Sequence, residues 1–448
     1  MSDPSIPYRS VAAAAATPRR RLLLAGLFIL LSIGAINVVA RALNMESSRN
    51  QLHAWALDPG HGWADSWDPM LAALNWLEGP QQGTLYQAIF FQQHIKFQYP
   101  PTSLLPLALM RAAGVPLTPD LLNVIGWVWI VVTALAMAAF AVTLAERGGI
   151  AGKGDMLIRA AVGGMAIVAT LTFYPIMLAY TIGQVQTWIN AIFILACLAW
   201  VQERRGTAGV LIGAICLLKP QFGLFLIWGV LRRHWRFLFG WAAVVVPGAA
   251  ISIVLFGLAN NLDYISVLQF LSSHGENYFH NQSVNGLLNR LLFLGDSLVV
   301  PPVFPPFNTL VYYGTLVTSL VLVLAALFQR GREEDGGGLL DFMTAALTFT
   351  IASPIAWEYH YGIVPPILAA LLFALLLQPR EARPTLWVAL AVGYVFTANF
   401  FPITNKLAET YLNVLQSYLF YAGLLTLWLL YRIRTPQSLD RGLFLRAP

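Results

Sequence analysis

Three carboxylates stand within eleven residues in the stretch Leu57-Asp58-Pro59-Gly60-His61-Gly62-Trp63-Ala64-Asp65-Ser66-Trp67-Asp68-Pro69. A carboxylate within reach of a hydroxyl can take its proton, which makes this stretch the place to seek a general base. Asp58 opens an Asp-Pro-Gly turn, in which the side chain bonds the following backbone. Asp68 precedes Pro69, and residues 67, 70, 71, 74 and 77 are apolar at helical spacing. Asp68 therefore reads as the N-cap, and Pro69 as N1, of an amphipathic helix lying on a membrane. Asp65 has no such duty and is the carboxylate most available for proton transfer, with Asp58 and Asp68 as alternatives.

The second chemical signal is a cation. Lys219-Pro220-Gln221 interrupts the apolar run 207–231 about twelve residues from either end, too far for the amine to snorkel to an interface. Burying it costs several kcal/mol unless a partner or a water-filled cavity receives it. A phosphate would suit, and breaks at membrane depth are tolerated where they line cavities. The alternative is a structural ion pair. Gly183-Gln184, the polar segment from His274 to Arg290, and Ser353-Pro354-Ile355-Ala356-Trp357-Glu358-Tyr359-His360 add amides, cations and hydroxyls. Taken singly, Gln184 is a helix-end hydrogen bonder, and Trp357 and Tyr359 are interfacial belt residues.

The elements that position these residues follow from composition. Of 448 residues only 11% are charged, where soluble chains carry about 25%, and 58% are apolar with mean hydropathy +0.65. A soluble enzyme is excluded, and an all-α polytopic membrane bundle of about 10–13 segments remains. Cys197 and Cys216 both lie in apolar runs, which speaks against a disulfide framework or a cysteine-ligated metal.

Arg19-Arg20-Arg21 precedes the apolar stretch 22–40, which reads as an uncleaved first span with residues 1–21 cytoplasmic. Further runs fall at 120–145, 157–176, 184–202, 236–257, 309–328, 339–353, 360–378, 385–401 and 411–431. With 101–113 a partial span and 207–231 a hairpin of two half-length helices, Arg41, Arg49, Lys96, Arg111, Lys219, Arg290 and Lys406 lie outside, and the other 20 of the 27 Lys and Arg lie in the cytoplasm. That is the bias of the positive-inside rule; a full span at 101–113 would weaken it. The expected organisation is one membrane domain, 22–431, with outer loops 41–100 and 258–308 and a cytoplasmic tail 432–448.

Asp65, the helix ending at Gly79, Tyr86, Tyr99-Pro100-Pro101, Gly183-Gln184, Leu218-Lys219-Pro220, Asn281-Gln282-Ser283 and Ser353-Pro354-x-x-Trp357-x-x-His360 occur in an order that resembles glycosyltransferase family 87. These are GT-C-type enzymes, typified by polyprenol-phosphate-mannose-dependent α-(1,2)-mannosyltransferases, and the resemblance covers roughly residues 20–430. It implies a polyprenyl-phosphate sugar donor, a glycolipid or glycan acceptor, and a catalytic Asp in the first outer loop, at Asp65. The family usually carries a Tyr four residues after this Asp. Pro69 stands there instead, which leaves the choice between Asp65 and Asp68 open. On this reading Lys219 and His360, with Arg290 and His274 as further candidates, hold the donor phosphate. Tyr99, Gln184, Asn281, Gln282, Trp357 and Glu358 then meet substrate. No cofactor is required, although the three carboxylates leave a divalent metal open, and no nucleic-acid partner is expected. The expected location is a bacterial inner membrane with the site facing outward. The alternatives are a transporter or flippase, disfavoured by the lack of a second half matching Lys219-Pro220, and an O-antigen polymerase or ligase.

Overall fold

The computed structural model describes residues 9–45, 60, 62–80, 83–152, 154–300, 304–329, 338–377 and 384–433. Asp58 lies outside them, as do Lys153, Arg330, Arg332, Arg380, Arg383 and Arg434 of the expected basic clusters. Among the described residues there are seventeen α-helices and no strand. In chain order they are α1 (Arg9–Ala42), α2 (Trp67–Glu78), α3 (Leu105–Ala112), α4 (Pro119–Arg147), α5 (Met156–Leu171), α6 (Tyr174–Thr181), α7 (Gln186–Val201), α8 (Arg205–Leu218) and α9 (Leu224–Leu231). There follow α10 (Trp235–Phe256), α11 (Leu258–His274), α12 (Val284–Leu291), α13 (Thr309–Phe328), α14 (Leu339–Ile351), α15 (Val364–Leu377), α16 (Pro384–Ala398) and α17 (Tyr418–Ile433).

Six helical stretches are long and apolar enough to cross a membrane: Pro18–Ala42, Pro119–Arg147, Trp235–Phe256, Thr309–Phe328, Glu358–Leu377 and Tyr411–Ile433. The chain is an all-α polytopic bundle. Helices α5 and α6 form a further pair bent by 52°, where Pro175 enters the first turn of α6. The apolar runs at 184–202, 339–353 and 385–401 give shorter helices than their length suggests. In the second, Ser353-Pro354 follows closely on the helix end, and the residue before a proline is pushed out of the helical region. Residues 101–112 form only a 3₁₀ turn, Pro101–Leu104, and the eight-residue α3, about 12 Å of α-helix against about 30 Å of hydrocarbon.

The segment 205–231 is a hairpin. Helices α8 and α10 run side by side in the same direction: a β-carbon at Gly209 would lie 2.0 Å from the Phe237 carbonyl oxygen, and one at Gly213 2.8 Å from that of Trp241. Only three residues separate the end of α9 from the start of α10, so α9 returns to the level at which α8 started. Pro220 fixes the break, holding Lys219 extended at φ −134°, ψ 100°. The fourteen residues of α8 rise about 21 Å, which puts Lys219 at the hairpin tip, deep in the bundle. Arg204, Arg205, Arg232, Arg233 and Arg236 gather at its base. There the buried Arg232 Nε donates to Asp341 Oδ2 at 2.8 Å and its Nη1 to the Leu327 carbonyl at 2.7 Å.

The α8–α10 seam depends on glycine where backbones touch. Gly209→Val is expected to lower the thermal stability of detergent-purified protein by at least the about 1–3 kcal/mol typical of overpacking. Gly164→Val, where an added β-carbon meets nothing within 4 Å, should leave the melting temperature nearly unchanged.

Candidate active site

The carboxylate of Asp65 is placed by backbone that belongs to another element. Trp63, Asp65 and Ser66 donate their N–H groups to the carbonyls of Thr181, Ile182 and Gly183 at 3.0, 2.9 and 3.0 Å. This pairing requires glycine at 183, which has φ +68° and where a β-carbon would lie 1.8 Å from the Trp63 oxygen. The side chain of Gln184 then organises the cluster. Its oxygen accepts from Ser66 Oγ at 2.6 Å and from the Tyr99 hydroxyl at 3.0 Å. With two hydroxyls on the oxygen, the amide nitrogen faces Asp65 and donates to its Oδ2. Ser66 itself stands at the N-cap of α2 but spends its hydroxyl on Gln184 and on the Val185 N–H, 3.2 Å away.

Asp65 opens into a cavity of about 500 Å³. Lys219, His360, Tyr99, Gln184 and Trp357 line it as well, together with Lys96, Gln98, Gln221, Tyr264 and Tyr359. The protein mass around the cavity raises the Asp65 carboxyl above the usual range, opposed by the Gln184 hydrogen bond and by the positive groups of Lys96 and His280. Lys219 is buried at the hairpin tip with its ammonium against His360 Nε2 and 6.0 Å from the centroid of the Tyr359 ring. Among the described residues it has no carboxylate partner. The buried His360 Nδ1 has no hydrogen-bond partner either. The site thus combines a carboxylate, a lysine amine and an unsatisfied imidazole nitrogen in a mostly apolar chamber, the composition of a ligand site.

Lys96 forms a 2.6 Å ion pair with the buried Glu276 and lies 4.5 Å from the centroid of the Phe304 ring. Burial raises the Glu276 carboxyl, and Lys96 lowers it in turn. Sequence reasoning counted Lys96 only as an outer cation; Lys96, Gln98, Gln221, Tyr264 and Tyr359 reach the site through tertiary packing that spacing cannot show.

Other expected site residues stand elsewhere. Asp68 is exposed in the first turn of α2 and is not its cap, because the helix begins at Trp67; it does not line the cavity. Arg290 is buried away from the cavity, donating to the carbonyls of Tyr278 and Asn281 at 3.1 and 3.0 Å and to Ser417 Oγ at 2.6 Å. His274 stacks on Phe270 and bonds its carbonyl. Glu358 is fully buried behind the cavity wall, held by His280 Nδ1 at 2.5 Å and the Tyr174 hydroxyl at 2.6 Å. Asn281 and Gln282 form a brace. The Asn281 amide donates to the Glu276 carbonyl at 2.9 Å and its oxygen accepts from the Ala356 N–H at 3.1 Å. The Gln282 N–H donates to the Ala356 carbonyl at 2.7 Å and the Glu358 N–H to the His280 carbonyl at 3.0 Å. These bonds fix the 353–360 segment that presents Trp357 and His360. Among the described residues no group of three His, Cys, Asp or Glu could hold a metal ion.

The sequence model of Glycosyltransferase family 87 matches residues 97–354. The chain belongs to this family. It is also 26% identical over 220 residues to the polyprenol-phosphate-mannose-dependent alpha-(1-2)-phosphatidylinositol pentamannoside mannosyltransferase of Mycolicibacterium smegmatis, covering 49% of this chain and 50% of that protein. The chain thus matches about half the length of this curated relative. No solved structure matches. The glycosyltransferase family 87 segment contains Tyr99, Gln184 and Lys219, whereas Asp65, Trp357 and His360 come from its two flanks, and the cavity closes only when all three stretches fold together.

Because the Gln184 amide counteracts the desolvation of Asp65 by the protein around it, Gln184→Leu should raise the carboxyl further. If Asp65 acts as a base it must be ionised, and activity is lost as pH falls through its pKa. The acid limb of the pH–rate profile should therefore move to higher pH in Gln184→Leu, with the plateau less affected. A profile coincident with wild type would remove Gln184 from control of Asp65.

Proposed function

We propose that this protein is a membrane glycosyltransferase that moves a sugar, mannose by its likeness to the mycolicibacterial relative, from a polyprenyl phosphate to a hydroxyl of a lipid- or glycan-linked acceptor. The observation that carries the reading is that one cavity holds both Asp65 and the amine of Lys219, which bonds His360 and has no carboxylate partner among the described residues. As the acceptor oxygen bonds the anomeric carbon, its proton passes to Asp65. The bond from carbon to phosphate oxygen breaks, and its electron pair leaves with the phosphate. Lys219, with His360, sits where a preorganised charge could receive that phosphate, a form of stabilisation effective where water is excluded. A single base acting by direct displacement gives inversion, as in inverting glycosidases, which form no glycosyl-enzyme. Tyr99 and Trp357 supply hydroxyl and aromatic surface for the sugars. Leu224, Leu268, Leu271 and Val323 give the apolar wall a prenyl chain requires.

The cavity lies at the hairpin tip, away from the arginines at its base, and the positive-inside rule assigns that base to the cytoplasm. The site then faces outward from a bacterial inner membrane, within a single membrane domain spanning 22–431. Family membership favours transfer over transport.

On purified protein with a polyprenyl-phosphate sugar, Asp65→Asn should reduce transfer by about 10²–10⁴ while donor binding persists. Lys219→Met should weaken donor binding without loss of thermal stability, since no buried carboxylate is stranded; Lys219→Arg should retain part of the activity. An active Asp65→Asn enzyme would refute the base assignment, and unchanged donor affinity in Lys219→Met the phosphate site. For orientation, Glu409→Cys and Gln202→Cys are made in a background lacking Cys197 and Cys216. An impermeant thiol reagent should label position 409 and spare position 202 in intact spheroplasts, and the reverse pattern would invert the topology.

A further inference from the structure

A second cavity, of about 670 Å³, lies on the far side of the bundle between α1, α4, α5, α15 and α16. Its walls are almost wholly apolar, with Phe28, Met165, Phe173, Leu368 and Trp387 among them. Among the described residues Arg21 is the one charged residue of the lining, and its guanidinium lies 5.9 Å from the centroid of the Trp387 ring. Its neighbour Arg19 is paired with Asp155 at 2.7 Å, whereas Arg21 has no ion pair among the described residues and no acidic side chain lines the cavity. Deeper along the same seam, Phe28 of α1 meets Tyr394 of α16 with ring centroids 6.4 Å apart. Tyr394 is 9% exposed and lines the cavity, and its buried hydroxyl has no hydrogen-bond partner.

Length selects the occupant. Along α16 the lining runs from Pro384 to Tyr394, about 15 Å at 1.5 Å per residue, half of the about 30 Å hydrocarbon thickness. A chain that enters at Arg21 and ends near Tyr394 is as long as one leaflet. An acyl chain fits this depth, and an extended polyprenyl chain does not. An apolar trough closed at its mouth by a guanidinium that has no acidic partner among the described residues suits a phosphate ester, which Arg binds as a fork. We infer that this cavity binds one anionic phospholipid of the leaflet at the Arg21 end of α1, with its headgroup on Arg21 and an acyl chain along α16.

The test uses the full-length protein purified in mild detergent, with bound lipids extracted and quantified by mass spectrometry, and with added dioleoyl phosphatidylglycerol or dioleoyl phosphatidylcholine in melting experiments. Wild type should retain anionic phospholipid stoichiometrically, and phosphatidylglycerol should raise the melting temperature more than phosphatidylcholine does. Arg21→Gln should reduce retained anionic lipid about fivefold, the effect of one basic side chain near a charged membrane surface, and abolish the preference between the two lipids. Tyr394→Phe, at the methyl end of the chain, should leave retention and preference unchanged, and Ala391→Trp, which fills the trough, should remove both lipids. Arg21→Gln and Tyr394→Phe keep the packing intact, so the outcome does not depend on Ala391→Trp folding. Unchanged retention and preference in Arg21→Gln, absence of bound phospholipid from wild type, or recovery of a prenyl lipid from the cavity would each overturn the inference.

Discussion

A lysine amine deep in an apolar bundle, with no carboxylate beside it among the described residues, is the constraint from which most of this structure follows. Desolvating Lys219 costs several kcal/mol, and the fold contains that cost by leaving the amine at the edge of a cavity. Two half-length helices have to meet there, because a continuous helix would turn the side chain against lipid or protein. Pro220 makes the break, and the glycine seam between α8 and α10 holds the hairpin upright. His360 and Tyr359 stand around the amine as acceptor and ring face. Their segment is braced in turn by Asn281 and Gln282, and the buried polar cluster of Glu358, His280 and Tyr174 lies behind it. Within this cluster the side chains of Glu358, His280 and Tyr174 are bonded to one another, which lowers the cost of burying them.

The two proposed chemical groups are held by separate parts of the chain. Asp65 rests on the turn that starts α7, and Lys219 on the hairpin tip. Leu268, Leu271 and Val323 of α11 and α13 form another wall, where the long apolar part of a lipid donor meets surfaces that carry no charge. The proposed reading thus places the groups of a substrate by polarity: hydroxyls toward Asp65 and Tyr99, phosphate toward Lys219, hydrocarbon toward α11 and α13.

Much of this was legible in the sequence. The helical membrane class came from the scarcity of charge, and the hairpin from Lys219-Pro220, because proline acts locally and burial of a lysine has few solutions. Asp65, Tyr99, Gln184, Lys219, Trp357 and His360 were singled out and do share one cavity. The misplacements have a common cause. Arg290, Asn281 and Gln282 carry polar atoms in an outer loop and Glu358 opens a membrane stretch, and spacing cannot tell whether such atoms face a cavity or satisfy other buried groups. Here Arg290, Asn281 and Gln282 bond mainly backbone, and Glu358 bonds His280 and Tyr174. The N-cap of α2 was misplaced by two residues because Asp-Pro is a strong local signal, whereas Ser66 is held at the helix start by the distant Gln184. Lys96 and Tyr264 could be found only from tertiary contacts.

The backbone bonds that tie residues 63–66 to 181–183 separate the position of Asp65 from the chain that leads to it. The carboxylate travels with α7, a helix buried along most of its length, and its register is set by a glycine rather than by the preceding stretch. A change in the length of the chain before Trp63 would therefore leave the Asp65 carboxylate in register with α7, because the bonds that hold it run to residues 181–183 and not to that chain.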